Sequence, residues 1–423
     1  MKKYNTVSCD FPYKANGIVA EYNPFHNGHL FQLTDAREKT GADYTIVVMS
    51  GNFTQRGTPA LINKYDRARM ALQCGADLVL ELPILYAASS AEFFATGAVS
   101  MLDKLGVTDY LCFGSECGDL TILQHIADIL AKEPPEYTSH LKSSLRQGMS
   151  YPIARTDALI HTDPSLNDCD DILKSANNIL AIEYLKALKR RKSSILPVTT
   201  LRNTSGYHDR MMNQYFSSAL ALRQAVYDNC DPGIFASQMP PQAYEILADA
   251  LQNQSVLQLN DLSSQLHYKL LSLTDTGYSQ YLDVSEDLSD RIRKHLYHFK
   301  DYRSFCDLLK TKELTYTRIS RCLLHILLDI TKEDMILAKE HDYICYARVL
   351  GFQRDAAPLL SEIKKRSSIP MITKLSDAEN NLPEDVFAYL KKEQRMNTIY
   401  AGCMSNHSAQ PMQNEYSTPL VIL

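Results

Sequence analysis

The chain of 423 residues lacks several features that would each indicate a class of protein. It has no apolar run long enough to cross a bilayer, so no membrane protein is predicted. Residues 1–16 contain three lysines but no apolar stretch, so no secretory signal is expected there. The ten cysteines form no Cys-x-x-Cys pair and do not cluster with histidines at zinc spacing. We therefore expect reduced thiols in a cytoplasmic protein, with no metal site built from its own residues.

The chain also has little excess charge, because 44 Lys and Arg face 49 Asp and Glu, a formal net charge of −5. This balance argues against indiscriminate nucleic-acid binding through total charge, but not against a local basic surface. Residues 291–321 contain nine Lys or Arg against three acidic residues. This basic segment is the exception in an otherwise acidic chain.

Apolar residues make up 45% of the chain and charged residues 22%, which is typical of a soluble globular protein. Strand-like and helix-like segments alternate in the first half, as in α/β folds with a parallel sheet. From about residue 240 the apolar spacing is mainly helical. We predict an α/β parallel-sheet domain over residues 14–235 and a mainly α-helical domain over residues 240–423. The predicted strands are Gly17–Tyr22, Tyr44–Met49, Asp77–Glu81, Tyr110–Phe113 and Ile195–Thr200.

Two common phosphate-binding motifs, the P-loop and Gly-x-Gly-x-x-Gly, are absent. The main nucleotide signal is a His-x-Gly-His element, His26 to His29, that follows the first predicted strand. Two histidines three apart lie on one face of a helical turn, where they would flank free N–H groups and the positive end of the helix dipole. Gly28 would let a phosphate approach the backbone. Taken singly, either histidine is better explained as an ordinary surface or core residue.

The run Glu21–His29 (Glu-Tyr-Asn-Pro-Phe-His-Asn-Gly-His) resembles the HIGH-type nucleotidylyltransferases, and more specifically the bacterial tRNA(Met) cytidine acetate ligases. Further stretches carry the same resemblance, which covers nearly the whole chain beyond Lys14. They are Met49–Gly57, Phe113–Glu116, Asn177–Leu180, and Lys310–Lys312 with Thr315–Arg318.

The resemblance implies a Rossmann-like fold and an ATP-dependent ligase. Such an enzyme joins acetate to ATP, releases pyrophosphate and holds acetyl-adenylate. The N4 amine of the wobble cytidine of elongator tRNA(Met) then attacks, giving N4-acetylcytidine and AMP. ATP is thus the co-substrate, Mg²⁺ is expected to arrive on the triphosphate, and acetate and tRNA(Met) are the partners. No protein partner is evident.

The resemblance also implies which residues act. His26 and His29 would be catalytic. Gly114 would let adenosine approach a strand end, Asn177 would offer an amide to the ribose or base, and Arg202 would offer a fork of donors to phosphate. A turn glycine, a capping asparagine and a solvated arginine are the alternatives. The implied ATP contacts are Val19, Ala20, Glu21, Tyr22, Asn23, Pro24, Phe25, His26, Asn27, Gly28, His29, Leu30, Phe31, Gln32, Gly114, Asn177 and Arg202.

A second phosphate motif is expected at a later helix start, where Ser218 and Arg223 match the family pattern. Leu220 replaces the family's threonine and removes one hydroxyl donor. An ordinary helix start with a serine cap is the competing interpretation. Arg56 follows the second strand, where it could contact substrate or form a structural ion pair. Arg67 could equally belong to a solvated helix face.

The basic segment contains the candidate tRNA contacts, which combine positive charge with one aromatic face for stacking. The alternative is a basic helix surface balanced by acidic neighbours. A second basic cluster, Lys189–Lys192, is explained equally well by the dipole at a helix end. The candidate tRNA contacts are Lys310, Lys312, Tyr316, Arg318 and Arg321.

Two other functions compete with the ligase. A small-molecule adenylyltransferase, acting on a nicotinate or pantetheine phosphate, would share the histidine element but would not need the basic helical half. A non-catalytic nucleotide- or RNA-binding protein could keep the fold without turnover, and Leu220 is the only feature that favours it.

Overall fold

The computed structural model describes residues 12–167, 169–202, 218–408 and 411–423. Eight strands in these residues form one mixed sheet with helices on both faces. This architecture confirms the predicted α/β class. The strands are β1 (Ala15–Ala20), β2 (Tyr44–Ser50), β3 (Leu78–Leu82), β4 (Tyr110–Ser115), β5 (Leu196–Leu201), β6 (Ala347–Phe352), β7 (Met371–Ile372) and β8 (Val421–Ile422).

The first five strands are parallel and lie in the order β5-β4-β1-β2-β3. All five were predicted from the sequence within two residues at either end. Their connections contain helices, as parallel pairing requires. The helices of this half are α1 (Asn27–Thr40), α2 (Lys64–Gln73), α3 (Ile84–Ala87), α4 (Ala91–Lys104), α5 (Leu120–Lys132), α6 (Pro135–Arg146), α7 (Tyr151–Thr162), α8 (Asp170–Lys174), α9 (Ala176–Arg191) and α10 (Ala219–Tyr227).

The rest of the chain is mainly helical, as expected. Even its longest helix, α20, carries many charged residues, and none of the described helices has the length and apolar character to cross a membrane. The helices are α11 (Gly233–Ala236), α12 (Pro241–Gln252), α13 (Ser263–Ser272), α14 (Glu286–His295), α15 (Tyr302–Leu309), α16 (Tyr316–Leu328), α17 (Lys332–Glu340), α18 (Ala357–Arg366), α19 (Ala378–Asn381) and α20 (Glu384–His407).

Strand β2 illustrates how the core is organised. Ile46 and Val48 pack into one buried cluster, whereas Val47 and Met49 pack into a second cluster on the other face of the sheet. Successive residues of a strand point to opposite faces, so a continuous apolar run is needed where helices cover both faces. The central position of β1 and β2 follows from this pattern.

Three strands of the helical half were not found from the sequence. Strand β6 pairs antiparallel with β3, and β7 and β8 pair parallel with β6, so the sheet contains strands from both halves of the chain. Strands β7 and β8 have only two residues each, which is too short for a periodic signal. The predicted division at residues 235–240 stays a prediction, but the sheet crosses it.

The apolar end of the chain packs against the protein. Val421 and Ile422 pair with Gly351 and Phe352 of β6. In the same C-terminal segment, Glu415 forms an ion pair with the fully buried Lys64, whose ammonium also lies 2.8 Å from Glu81. The C-terminal segment is therefore an integral part of the fold.

Candidate active site

A cavity of about 240 Å³ opens at the carboxyl end of β1, and residues that follow β2 and β5 also line it. The strand order reverses there, because β2 and β3 follow on one side of β1 while β4 and β5 lie on the other. Ligands of open α/β sheets bind in the crevice at such a reversal. The predicted residues that line the cavity are Val19, Ala20, Glu21, Tyr22, Asn23, His26, His29, Gln32, Asn177, Arg202, Ser218 and Arg223.

His26 and His29 form a reciprocal cap at the start of α1. The His26 Nδ1 accepts a hydrogen bond from the Gly28 backbone N–H at 3.0 Å. The His29 Nδ1 accepts one from the His26 backbone N–H at 3.2 Å. The two rings stack with their centroids 3.8 Å apart. Both rings are thereby fixed in place before any ligand binds.

This geometry sets the protonation of both rings. Because each Nδ1 accepts a hydrogen bond, each neutral ring carries its proton on Nε2. Burial, with the charges of Arg202 and Arg223, lowers the pKa of His26 to about 3. Burial, His26 and Arg202 lower the pKa of His29 well below its usual value. At neutral pH the pair therefore presents two uncharged Nε2–H donors.

The backbone N–H groups at the start of α1 are not free to bind a phosphate, although the sequence suggested that they would be. The N–H of Asn27 donates to the Gln238 carbonyl at 3.0 Å, and the N–H of His29 donates to the His26 carbonyl. With the Gly28 N–H bound to His26, the expected free donors are already used. A Cβ on Gly28 would lie 2.9 Å from the His26 ring, so this glycine makes room for the ring.

Arg202 is held by a chain of polar contacts. Its guanidinium donates to the Asn177 Oδ1 at 2.8 Å. The Asn177 amide in turn donates to the Glu116 carboxylate at 2.7 Å. That carboxylate also accepts from the backbone N–H groups of Asn177 and Asn178 at the start of α9. Asn177 thus orients Arg202 and Glu116 anchors Asn177, a role for Glu116 that the sequence did not suggest.

Gly114 does not line the cavity but is required by a residue that does. A Cβ at Gly114 would lie 2.7 Å from the Arg202 Cδ. The Arg202 side chain therefore lies directly on the backbone of β4. The group that closely approaches the Gly114 backbone is therefore the aliphatic part of the Arg202 side chain.

The start of α10 brings the second predicted phosphate motif to the cavity. Arg223 is largely buried and donates to the Asn23 carbonyl. The Ser218 Oγ accepts from the Ala221 N–H at 3.2 Å and so caps the helix. Leu220 lines the cavity and is 38% exposed. Ser217 lies outside the described residues.

Arg56, for which the sequence allowed either a substrate contact or a structural ion pair, lines the cavity with Gln55. Burial and the charge of Arg223 lower the pKa of the Arg56 guanidinium, while Glu21 opposes this shift. The Glu21 Oε1 accepts the Gln55 N–H at 2.8 Å. Three arginines thus face one carboxylate among the described lining residues, a balance that suits a polyanion.

Arg67 does not belong to a solvated helix face. It is fully buried and donates to the carbonyls of Glu21, Ser50, Gly51 and Ile62. A guanidinium has five donors in a fixed fork, so one side chain can bind the loose carbonyls that follow β1 and β2. A helical position alone does not reveal this role.

One end of the cavity is apolar, a feature that the sequence did not suggest. Phe94, Leu180 and Tyr184 line it together with Ala176. Tyr184 is 3% exposed, and its hydroxyl has no hydrogen-bond partner in the described structure. Burial raises the pKa of this hydroxyl, so it remains a donor. An unpaired buried donor in a cavity is a place for a ligand acceptor.

Several predicted contacts lie outside the cavity lining. Phe25 is fully buried in the core, and Phe31 is 51% exposed on the outer side of α1. The Asn27 side chain donates to the Ser237 carbonyl. These residues shape the turn or the helix. The predicted contacts outside the lining are Pro24, Phe25, Asn27, Gly28, Leu30, Phe31 and Gly114.

The candidate tRNA contacts of the basic segment differ in their exposure to solvent. Lys310, Lys312 and Arg318 are exposed, and Lys310 pairs with Asp307 at 2.9 Å. The Tyr316 ring packs against the core, so it offers less of a stacking face than expected. Arg321 is half-buried beside the β2–α2 loop.

The second basic cluster is occupied by ion pairs. Arg190 pairs with Glu92 at 2.9 Å, and Arg191 pairs with Asp103 at 3.0 Å. Lys189 pairs with Asp128. These ion pairs, together with the position of the cluster at the end of α9, give it a structural role.

A second polar cavity, of about 300 Å³, lies between α2, α12, α20 and the C-terminal segment. Asp66, Asp249 and Glu415 line it, and its described lining has no Lys, Arg or His. A triphosphate would meet only negative charge there. The cavity at the carboxyl end of β1 is therefore the candidate active site, although it is the smaller of the two.

Comparison with known proteins identifies the family of the chain. Residues 13–415 match the family model described as HIGH Nucleotidyl Transferase. The tRNA(Met) cytidine acetate ligase of Acetivibrio thermocellus is 39% identical over 97% of this chain and 100% of its own length. The protein of the same name from a Thermoanaerobacter species is 43% identical over 86% of this chain and 90% of its own. The chain belongs to the tRNA(Met) cytidine acetate ligase family.

Solved structures of this family have the same fold. The chain matches the crystal structure of apo Thermotoga maritima TmcAL with a TM-score of 0.92 and 32% identity, over 97% of this chain and 99% of that one. It matches the same protein bound to alpha-thio ATP with a TM-score of 0.89 at the same identity and coverage. These findings confirm the resemblance drawn from the sequence.

Proposed function

We propose that this protein is an ATP-dependent ligase that activates acetate and acetylates N4 of the wobble cytidine of elongator tRNA(Met) in the cytoplasm. The observation that carries the proposal is the cavity itself, where two neutral Nε2–H donors and three arginines converge. Such a site suits an ATP triphosphate. Family membership favours acetate and tRNA(Met) as the other substrates.

The reaction has two steps. An acetate oxygen attacks the α-phosphorus, the bond from that phosphorus to the bridging oxygen breaks, and pyrophosphate leaves. The cytidine amine then attacks the acetyl carbonyl, loses a proton and expels AMP. In the first step charge accumulates on the α-phosphate and the leaving group, so fixed donors aimed at these oxygens lower the barrier.

We assign the donors by their positions. The Nε2–H groups of His26 and His29 face the α-phosphate at the start of α1. Arg202 and Arg223 bind the triphosphate from the two sides of the cavity, and Asn177 keeps Arg202 in place.

Mg²⁺ is proposed to enter with the nucleotide. Glu21 is the single carboxylate among the described lining residues, and its Oε1 already accepts the Gln55 N–H. No cluster of three potential metal ligands occurs in the part of the chain that the structure describes. Mg²⁺ usually binds through one or two carboxylates and the substrate phosphates, so a triphosphate-borne ion fits this donor set.

For the tRNA we propose the exposed face of the basic segment, with Lys310, Lys312 and Arg318 as phosphate contacts. Arg321 and Tyr316 lie at its edge and contribute less exposed surface. This assignment concerns the surface alone and leaves open which tRNA features are recognised.

One set of assays tests the proposal. ATP–pyrophosphate exchange is measured with acetate, nicotinate phosphate and pantetheine phosphate, and acetylation is measured on tRNA(Met) transcripts. We expect exchange only with acetate, and acetylation of the tRNA. Exchange with one of the phosphorylated acceptors alone would favour a small-molecule adenylyltransferase, and no exchange with any of them would favour a non-enzyme.

Two variants separate the halves of the function. His29→Ala should abolish exchange, because it removes one Nε2–H donor and the cap of the His26 N–H. Lys310→Ala should leave exchange intact and weaken tRNA binding, because Lys310 is exposed and does not line the cavity. Equal loss of exchange in both variants would contradict this division.

A further inference from the structure

The loop between β2 and α2 connects the candidate active site to the basic helix α16. Gln55 and Arg56 of this loop line the cavity. The next residue, Gly57, has a φ of +72° and lies against the backbone of α16. A Cβ on Gly57 would lie 2.5 Å from the Arg321 backbone nitrogen, so loop and helix are in direct backbone contact.

One hydrogen bond fixes this contact. The Ser320 Oγ donates to the Gly57 carbonyl at 2.8 Å, and Ser320 is fully buried. The Ser320 carbonyl accepts from the Tyr302 hydroxyl at 2.9 Å, which ties this turn of α16 to α15. The Ser320 backbone is thus fixed by α15, while the Ser320 side chain binds the loop.

The loop is also closed on itself, so a shift at Gly57 reaches Arg56. The Gly57 N–H donates to the Thr54 carbonyl at 2.9 Å, and the Thr54 N–H donates to the Thr58 carbonyl at 3.0 Å. Gln55 is bound to Glu21 on the cavity side. These hydrogen bonds couple Gly57 to the rest of the turn, and the Ser320 side chain anchors that turn to α16.

We propose that Ser320 is a positioning residue for ATP binding, which holds the Gly57 carbonyl and thereby fixes Arg56 against the triphosphate. The inference rests on the proposed function only in taking ATP as the ligand. Ser320 lies between Arg318 and Arg321 on α16, so the helix that carries candidate tRNA contacts also supports the ATP site.

A double-mutant cycle on the full-length protein tests the proposal. The dissociation constant of ATP is measured by calorimetry for the wild type, Ser320→Ala, Arg56→Ala and the double variant. Losing one buried hydrogen bond should weaken ATP binding roughly fivefold in Ser320→Ala, and Arg56→Ala should weaken it more. The double variant should bind like Arg56→Ala, because Ser320 acts through Arg56. Two independent, multiplicative effects would overturn the proposal.

A matched control separates positioning from general destabilisation. Ser289 is an equally buried serine of the helical half, and its Oγ accepts the Tyr278 N–H at 2.9 Å. Ser289→Ala should lower the thermal midpoint without changing ATP affinity. If it weakens ATP binding as much as Ser320→Ala does, the positioning role is wrong.

The same measurements distinguish this inference from the proposed function. ATP binding by the wild type without acetate-dependent exchange would contradict the proposed ligase activity. The double-mutant cycle with Ser320 could still be interpreted in that case. Absence of ATP binding by the wild type would overturn both.

Discussion

Acidification should destabilise the fold through His26, which is only 4% exposed. Burial and two arginines lower its pKa to about 3 in the folded protein, whereas in the unfolded chain it is about 6.5. Below about pH 6.5 the unfolded chain therefore binds a proton that the folded protein does not. The stability from this neutral ring is fully present above that pH and is lost as pH falls towards about 3.

The size of the effect follows from the two pKa values. A pH of about 5 lies about 1.5 pH units below the pKa of this histidine in the unfolded chain. Protonation of His26 in the unfolded chain therefore lowers the free energy of unfolding by about 2 kcal/mol at this pH. A loss of about 2 kcal/mol is a large part of the roughly 5–15 kcal/mol that stabilises a typical domain. The effect is therefore large enough to measure by denaturant unfolding.

The matched variant is His26→Asn. An asparagine side-chain oxygen can accept the Gly28 N–H as the His26 Nδ1 does, but it does not titrate. We expect the wild type to lose about 2 kcal/mol more than the variant between about pH 7.5 and about pH 5. Parallel stability curves for the two proteins would refute the argument that His26 is buried and neutral.

Three further substitutions test the cavity. Glu116→Gln should weaken ATP binding roughly tenfold, because the acceptor that holds Asn177, and through it Arg202, becomes in part a donor. Gly114→Ala should weaken ATP binding in calorimetry but not tRNA binding in a gel shift, because its Cβ would displace the Arg202 stem. Tyr184→Phe should keep or raise the thermal midpoint, since it removes an unpaired hydroxyl, and should raise the KM of one substrate in the exchange assay.

Each of these has its own control or contrary result. Asp301→Asn changes another carboxylate that caps a helix, with its Oδ1 2.9 Å from the Ser304 nitrogen, and should leave ATP affinity unchanged. Equal tRNA and ATP defects in Gly114→Ala would indicate misfolding. Unchanged KM values for both ATP and acetate in Tyr184→Phe would show that the hydroxyl serves no ligand.

The central sheet was predictable because its strands are apolar runs that alternate along the chain with amphipathic helices. In β2, Ile46 to Met49 are apolar at consecutive positions, since helices cover both faces of the sheet. Strand β6 is equally buried, but it is embedded in a helical half and pairs with β3 from more than two hundred residues away. A local pattern contains no information on that pairing.

The candidate site was predictable in part for the same reason. The spacing of His26 and His29 is a local signal, and it placed both rings at the cavity. The Gln238 carbonyl that occupies the Asn27 N–H comes from a distant part of the chain. Likewise, the burial of Arg67 depends on carbonyls of two strand ends that meet only in the fold. Long-range contacts decide which donors remain available.

The charge state of the histidine pair limits what it can do. Two rings stacked at 3.8 Å beside Arg202 are poorly placed to accept protons, and their pKa values are lowered accordingly. They are therefore suited to donate fixed hydrogen bonds to the α-phosphate and not to transfer protons during acetate activation. In the proposed mechanism, positive charge for the triphosphate comes instead from arginines, which stay ionised at any working pH. Donors that are already oriented need no rearrangement when charge develops, which is where electrostatic catalysis is most effective.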